Sequence, residues 1–511
     1  MKRPLFSAGV LAFAALLLCA CLPYKIVFWL AVAIWISALL ILVFAKDKPW
    51  HFSVVICLTI CSLLVTGFYI STIRGPKTCE ILIGKTATVT ATVTTKPDFN
   101  GTYYVYSVTT DSVDYPNVSQ NLNLELCVSK NCLEIGDNFK STVKFYEIPQ
   151  DYKTSLYGRS VYLRTYPKEI IKTGKTSNFL TFSGNLSYKV RKCILRNLPD
   201  EVSGILIGLI TGGSHYLDDE THIAFKECGL SHIISVSGMH MALLASAVMT
   251  LLSLFGISRK IGFWVCVPLL LLYTAISGFS PAAIRSVVMI SATFLGNVFY
   301  RRSDSLTNLG FTGIVMLLIS PYLIYNISFL LSFTSMMGIL FAAPFSMRLC
   351  NKIFIKGIFG DLARYITSMS LTTISANLAT LPLVLLIWNG VSTVSVIANL
   401  FICFAVSVCL IFSLPLVTLI LIFGENSLFR FMFKPIEYIL WFVRYMAISI
   451  SNIPFSYLRM SVSDLLFVCC IGCAVVALIC YLKRLPKQRV WSAVNYSMVF
   501  MVASIITYKI I

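Results

Sequence analysis

Charge is scarce in this chain: only 12% of its 511 residues are Asp, Glu, Lys or Arg, and 57% are apolar. A soluble globular domain carries about 25% charge, so a water-soluble globule is excluded for most of the length. Histidine is scarce as well, with five residues and no His-x-His or His-Glu-x-x-His spacing. A self-contained metallohydrolase is thereby excluded, and no metal or other cofactor is expected. There is no Gly-x-x-x-x-Gly-Lys-Ser loop, so a built-in nucleotide motor is not expected either.

Long apolar runs are plentiful. Leu5 to Leu22, Ile26 to Ala45 and Phe52 to Ile70 each approach the roughly 20 residues that cross a hydrocarbon core. Further runs are Ile233 to Phe255, Ile261 to Ser277, Ala282 to Tyr300, Leu306 to Ile319, Leu323 to Phe345, Ile366 to Trp388, Val391 to Phe423, Ile436 to Ile453, Leu465 to Leu482 and Val490 to Tyr508. The fold class expected is a polytopic α-helical membrane protein. The net charge of +19 comes from 41 Lys and Arg against 22 Asp and Glu. Its clusters at Lys2, Lys46, Arg259, Arg301, Arg348 to Arg364 and Lys483 to Arg489 look like cytoplasmic loops under the positive-inside rule. Much of the charge is therefore topology. Leu18-Cys19-Ala20-Cys21 has the look of a lipoprotein signal, but a second apolar run follows at once, favouring a plain first helix. With Lys2 and Arg3 inside, the third run delivers residues 74–180 to the outside.

In that segment the period changes. Thr86 to Thr94 alternates strictly and is rich in β-branched residues, as in a half-buried strand, and Asn100-Gly101 supplies a hairpin turn before Tyr103 to Thr110. Leu122 to Val128, Asn138 to Phe145 and Val161 to Tyr166 complete about five strands, the count of a small OB-type β-barrel. The segment holds 13 Lys or Arg and 10 Asp or Glu, a balance of +3, with tyrosines at 103, 104, 106 and 115. These could stack single-stranded bases or simply be ordinary strand residues. Of the 17 cysteines, most sit in apolar runs as small hydrophobes; Cys127 and Cys132 could pair in an oxidising compartment. Residues 181–230 read as amphipathic helices, Asn185 to Leu198 and Glu201 to Lys226, lying at the outer interface.

Polar groups at membrane depth are costly and mark function. Gly229 to Met241 places Ser235, Ser237, Gly238 and His240 at the start of an apolar run, with Ser237 and His240 on one helical face and Gly238 permitting close backbone approach. A polar pathway, plain interhelical hydrogen bonding and a Ser237/His240 nucleophile–base pair are the three readings. The last is weakened by the absence of an orienting carboxylate in the run. Gly278, Ser280 and Pro281 form a turn with Ser280 as N-cap and Pro281 at the first helical position. Arg285, one turn in, either snorkels to headgroups or binds phosphate in a hydrated route. Ser328, Ser332 and Ser335 make a stripe that is helix glue or a passage wall, and Asn377, Asn389 and Asn399 follow.

Gly204-Ile205-Leu206-Ile207-Gly208, Gly229-Leu230-Ser231-His232 and Ser235-Val236-Ser237-Gly238-Met239-His240 together resemble the hallmark of the ComEC competence-protein family. So do Ser277 to Ser286, Ser328 to Phe333, Thr380-Leu381-Pro382 and Asn399-Leu400. The resemblance covers residues 30 to about 420. It implies a channel passing single-stranded DNA across the cytoplasmic membrane in natural transformation, not an enzyme, with the pathway near Ser235, Ser237, Gly238, His240, Arg285 and Ser332. It also implies three N-terminal spans (1–73), an extracytoplasmic OB-like barrel (74–180), interfacial helices (181–230) and a multi-helix channel domain (231–511). The partners implied are a cytoplasmic helicase or translocase and an extracytoplasmic DNA receptor. Two positions depart from the family pattern: Gly212-Gly213-Ser214 replaces a Gly-Asp-Arg-like turn, and Phe404 replaces a proline. The chain shows no His-x-His-x-Asp-His motif of the nuclease-like C-terminal domain many members carry, so a separate nuclease is expected if one strand is degraded. A small-molecule or ion transporter and an intramembrane Ser/His hydrolase are the alternative functions; no internal repeat favours the transporter.

Overall fold

The computed structural model describes residues 4–21, 24–44, 51–95, 98–99, 102–115, 121–129, 133–149, 156–157, 160–213, 216–300, 303–351 and 357–460. The expected spans after residue 460, the Asn100-Gly101 turn and Cys132 lie outside the described residues. Three helices open the chain, α1 (Pro4–Cys21), α2 (Tyr24–Phe44) and α3 (His51–Thr72). Among the described residues five helices are long and apolar enough to cross a membrane, Val54–Glu80, Arg259–Ile276, Ile327–Cys350, Ile358–Trp388 and Ser395–Phe423, and five further apolar helices are shorter.

The β segment follows: β1 (Thr86–Val93), β2 (Asp98–Phe99), β3 (Tyr104–Val113), β4 (Asn123–Val128), β5 (Asp137–Glu147) and β6 (Val161–Lys175). β1 is laid down by its alternation, with Ala87, Val89, Ala91 and Val93 inward and the intervening threonines outward. The ladders run β1–β5–β6–β4–β3, and β3 pairs back onto β1. Only β4 and β6 run parallel; the rest are antiparallel. Tyr106, Phe139, Phe145 and Leu124 fill the interior, each 0–1% exposed; truncating such a ring to Ala costs roughly 3–5 kcal/mol. β6 continues nine residues past the expected Tyr166 because β5 offers it partners out to Asp137 opposite Lys175.

The helical part resumes with α4 (Phe179–Asn197), α5 (Asp200–Thr211) and α6 (Asp219–Glu227), then α7 (Gly238–Leu254), α8 (Arg259–Ile276), α9 (Pro281–Val298), α10 (Ser305–Ile319), α11 (Ile327–Cys350), α12 (Ile358–Trp388), α13 (Ser395–Phe423) and α14 (Ser427–Ser451). Two readings need correction. The expected amphipathic run Glu201 to Lys226 is broken at Gly212 and Gly213, which take φ of +74° and +94°, and α5 is buried from Val202 to Thr211. An element that buries every side is an interior helix, so α5 is packed within the protein and presents no polar face as an amphipathic helix would. The run expected from Ile233 becomes a short turn, Ser231–Ile234, and a helix that starts only at Gly238, because Ser235 and Ser237 take extended backbone. A small ladder pairs Gly390–Ser392 with Tyr457–Arg459, too short for periodicity to signal.

Candidate functional site

Three helices converge on one cation. The turn before α9 is built as its residues require: Gly278 has φ of +74°, the Ser280 hydroxyl accepts from Ala283 N–H at 3.4 Å, and Pro281 is the first helical residue. Arg285 follows one turn later and is 7% exposed, so it does not snorkel. Its Nε donates to Ser332 Oγ on α11 at 2.8 Å, Nη2 to Ser286 Oγ at 3.4 Å and Nη1 to Met289 Sδ at 3.6 Å. All three acceptors are neutral. Among the described residues no carboxylate forms an ion pair with it.

Its other neighbour is the start of α7. A Cβ on Gly238 would stand 2.8 Å from Arg285 Nη2 and 2.9 Å from Ser286 Oγ, so the guanidinium occupies the space that the missing side chain leaves. Ser237 precedes the helix with extended backbone, and its N–H donates to His240 Nδ1 at 3.3 Å. An accepting Nδ1 leaves the ring proton of the neutral imidazole on Nε2. Nε2 is buried and has no partner among the described residues, and His240 is 0% exposed. A buried donor without an acceptor costs about 1–3 kcal/mol.

Of the residues expected along a pathway, Gly238, Arg285 and Ser332 are thus in direct contact, and Ser237 and His240 form the cap of the same helix. Ser235 stands apart, exposed, with its hydroxyl donating to His232 O at 3.2 Å. In the serine stripe, Ser328 is exposed and Ser335 bonds back to Ser332 O at 3.1 Å, so only Ser332 takes part. The contacts to Ser286 and Met289 were not foreseen; the four-residue spacing of Met289 from Arg285 was an available signal, whereas adjacency gave none for Ser286. Asn377 donates to Ser395 Oγ at 2.7 Å, a pairing between α12 and α13 that sequence spacing does not reveal. Cys127 is a buried free thiol on β4, and its expected partner Cys132 lies outside the described residues. Among the described residues no three His, Cys, Asp or Glu side chains could hold a metal together.

Residues 209–485 match the competence protein family. The chain is 27% identical over 259 residues to ComE operon protein 3 of Bacillus subtilis (strain 168), covering 49% of this chain and 30% of that protein. It is 33% identical over 127 residues to an uncharacterized protein of Aquifex aeolicus (strain VF5), covering 24% of this chain and 29% of that one. The aligned segments thus span under a third of the length of either relative. No solved structure matches. The family match takes in more than half of the 511 residues, including α7, α9, α11 and the Arg285 contacts between them: the chain belongs to the competence protein family.

Proposed function

We propose that this protein is a multi-pass channel of the cytoplasmic membrane that passes single-stranded DNA inward during natural transformation. The observation that carries the reading is Arg285, a buried guanidinium held against Gly238 and Ser332 and, among the described residues, with neutral partners only. An unpaired buried charge costs several kcal/mol, and a chain keeps one where an anion is to be met. The planar fork matches a phosphate oxygen pair, and a DNA strand presents one phosphate per nucleotide. Membership of the competence protein family supports the substrate class.

In this reading residues 1–73 are three N-terminal spans, 74–180 an extracytoplasmic OB-type barrel, 181–230 the linking helices and 231–511 the channel domain. The barrel reading rests on the cycle of five ladders with a single parallel pair, the strand pattern of a five-stranded Greek-key barrel. Cys127 and Cys132 pair if that side is oxidising. A cytoplasmic helicase or translocase, an extracytoplasmic DNA receptor and, where one strand is degraded, a separate nuclease supply what this chain is not expected to carry. Against a Ser237/His240 hydrolase stands the source of the ring's hydrogen bond, which is the Ser237 backbone N–H and not its hydroxyl.

The test is passage of labelled DNA into the cytoplasm of cells carrying His240→Ala or Arg285→Ala at wild-type protein abundance. Both should lose uptake while DNA binding at the cell surface persists. Wild-type uptake by both would remove this region as the conduit, and total loss in Ser237→Ala alone would favour the hydrolase.

A further inference from the structure

A cavity of about 180 Å³ lies where three parts of the chain meet. The end of α1, the end of α3, Tyr157 from the connection before β6, and a 3₁₀ turn, Pro321–Tyr325, between α10 and α11 supply its walls. Among the described residues that line it none carries a charge, and five are aromatic: Phe68, Tyr69, Tyr157, Tyr322 and Tyr325. Three of the rings lie nearly parallel, Phe68 with Tyr322 at 5.4 Å and 26° and Tyr322 with Tyr325 at 5.7 Å and 26°. Tyr162 of β6 closes the seam beside them. Its ring meets Tyr322 edge-on at 5.8 Å and 69° and rests on Gly75, where a Cβ would stand 2.7 Å from it.

The polar atoms of this cavity share one character. Tyr322 Oη donates to Thr72 Oγ1 at 2.9 Å, Thr72 Oγ1 donates to Phe68 O at 2.8 Å, and Tyr325 Oη donates to Ala20 O at 3.4 Å. Each of these hydroxyl protons is taken up by the protein, so what the three oxygens still offer is lone pairs. Aromatic rings favour a guest of the same sign through their faces. An anion is therefore disfavoured, and a cation with N–H groups is matched by both features. Depth decides how such a cation arrives. The helices that end here are apolar, so their ends stand at the level of lipid headgroups, where tyrosines gather. In that layer an ammonium group comes as the head of an aminophospholipid.

We infer that this cavity binds the ethanolammonium head of a phospholipid, with its N–H groups on the oxygens of Thr72, Tyr322 and Tyr325. The bound head joins the N-terminal spans to the turn that leads into α11, the helix that carries Ser332. The site is separate from the Arg285 contacts and does not depend on which substrate the protein passes.

The experiment places the full chain in nanodiscs of phosphatidylglycerol mixed with equal amounts of phosphatidylethanolamine and phosphatidylcholine. Native mass spectrometry then reads which lipid stays bound after transfer to detergent. The two zwitterionic heads carry the same charges, but choline has no N–H to give. Phosphatidylethanolamine should be retained about tenfold over phosphatidylcholine, the effect of the hydrogen bonds that choline cannot make. Ala20→Phe, which fills the cavity and removes none of its rings, should abolish the preference. Tyr325→Phe, which keeps the ring and loses an acceptor, should reduce it about threefold. Equal retention of the two lipids by the wild-type protein overturns the site, and that result needs no variant. So does a full preference in folded Ala20→Phe protein. In discs of phosphatidylglycerol alone, ethanolamine or spermidine should leave the melting temperature unchanged; a rise equal to that given by phosphatidylethanolamine would make the occupant a soluble amine and overturn the lipid. None of these measurements involves DNA, so their failure leaves the Arg285 conduit standing, and normal uptake in Arg285→Ala cells leaves the lipid site standing.

Discussion

Arg285 joins α9 to Ser332 on α11 through an Nε–H···Oγ hydrogen bond of 2.8 Å, and this is the shortest of the three bonds the guanidinium makes. The other two are long, at 3.4 and 3.6 Å, and the last ends on sulfur, so most of the donor capacity of the fork is weakly met. That imbalance separates a structural role from a functional one.

Arg285→Met should therefore keep the fold and lose the function. A buried charge without a counter-ion can be replaced by an apolar side chain of similar volume with neutral or favourable effect on stability, so the melting temperature should hold or rise. DNA uptake should fall at least about tenfold if the fork meets phosphate, and Arg285→Lys should retain part of it, since charge survives but the planar geometry does not. A melting temperature that drops sharply in Arg285→Met, with uptake following abundance, would falsify the functional assignment.

Gly238→Ala tests the same contact from the other side. The new Cβ would come to 2.8 Å from Arg285 Nη2 and 2.9 Å from Ser286 Oγ, and Gly238 is in helical backbone, so the substitution is unfavourable for space and not for φ. Overpacking of this kind costs about 1–3 kcal/mol unless the guanidinium moves away. We expect reduced uptake with modest destabilisation, partly rescued by combining it with Arg285→Lys, whose smaller head clears the methyl group. Full uptake in Gly238→Ala would show that the contact is dispensable.

The parts of this fold that sequence reveals are those where one side chain decides locally. Thr86 to Thr94 alternates, so β1 is legible; Ser280-Pro281 fixes the start of α9 to the residue. Arg285 was conspicuous as a cation in an apolar run, but its partner was not. Ser332 lies 47 residues away in a stripe of three serines that spacing alone cannot rank; the family resemblance put it near the pathway, but its pairing with Arg285 is made by how α9 and α11 pack. The buried character of α5 was hidden for a related reason. Its acidic first turn, Asp200 and Glu201, reads as a surface feature, while the glycine break after Thr211 that ends it belongs to backbone geometry.

Topology can be read by labelling. A cysteine at exposed Thr142 on β5 should react with an impermeant maleimide on intact cells, whereas one at Arg259, at the start of α8, should react only after permeabilisation. The reverse pattern would place residues 74–180 inside and end both the barrel's extracytoplasmic assignment and the expectation that Cys127 and Cys132 pair.

The β segment should be sensitive to acid through Asp137. Burial opposes its ionisation, but the hydrogen bonds from Lys172 Nζ at 2.7 Å and from Glu134 N–H at 2.9 Å, with the charge of Lys175, hold its carboxyl below the ordinary range. A carboxylate whose folded pKa is depressed contributes stability that is present above its unfolded value, near 3.9, and is lost as pH falls through the folded value. Melting of the full chain should thus fall off below about pH 4, and Asp137→Asn should be less stable at pH 7 and show a flatter acid limb. An acid limb identical in slope in Asp137→Asn would exclude this carboxyl as its source.

Arg444 gives the last test, because it fastens α14 to the N-terminus of α6 at three points. Its Nη2 lies 3.1 Å from Asp218 and 2.9 Å from Glu220, and its Nε donates to Thr221 Oγ1 at 3.0 Å. Asp218 is also the N-cap of α6, accepting from Thr221 N–H at 3.1 Å. The arginine side chain is 18% exposed but Glu220 is 63% exposed, so water screens that pair and little of the stability resides there. The Asp218 contact is the stronger one, since the cap satisfies a helix donor and the guanidinium neutralises the cap. Glu220→Gln should change stability by only a few tenths of a kcal/mol, whereas Asp218→Ala should cost about 1–2 kcal/mol by losing cap and ion pair together. A double-mutant cycle between Asp218→Ala and Arg444→Ala isolates the shared part, expected at roughly 1 kcal/mol. Strict additivity would mean that the Asp218–Arg444 contact itself contributes nothing, leaving the Glu220 and Thr221 contacts and apolar packing to hold α14 to α6.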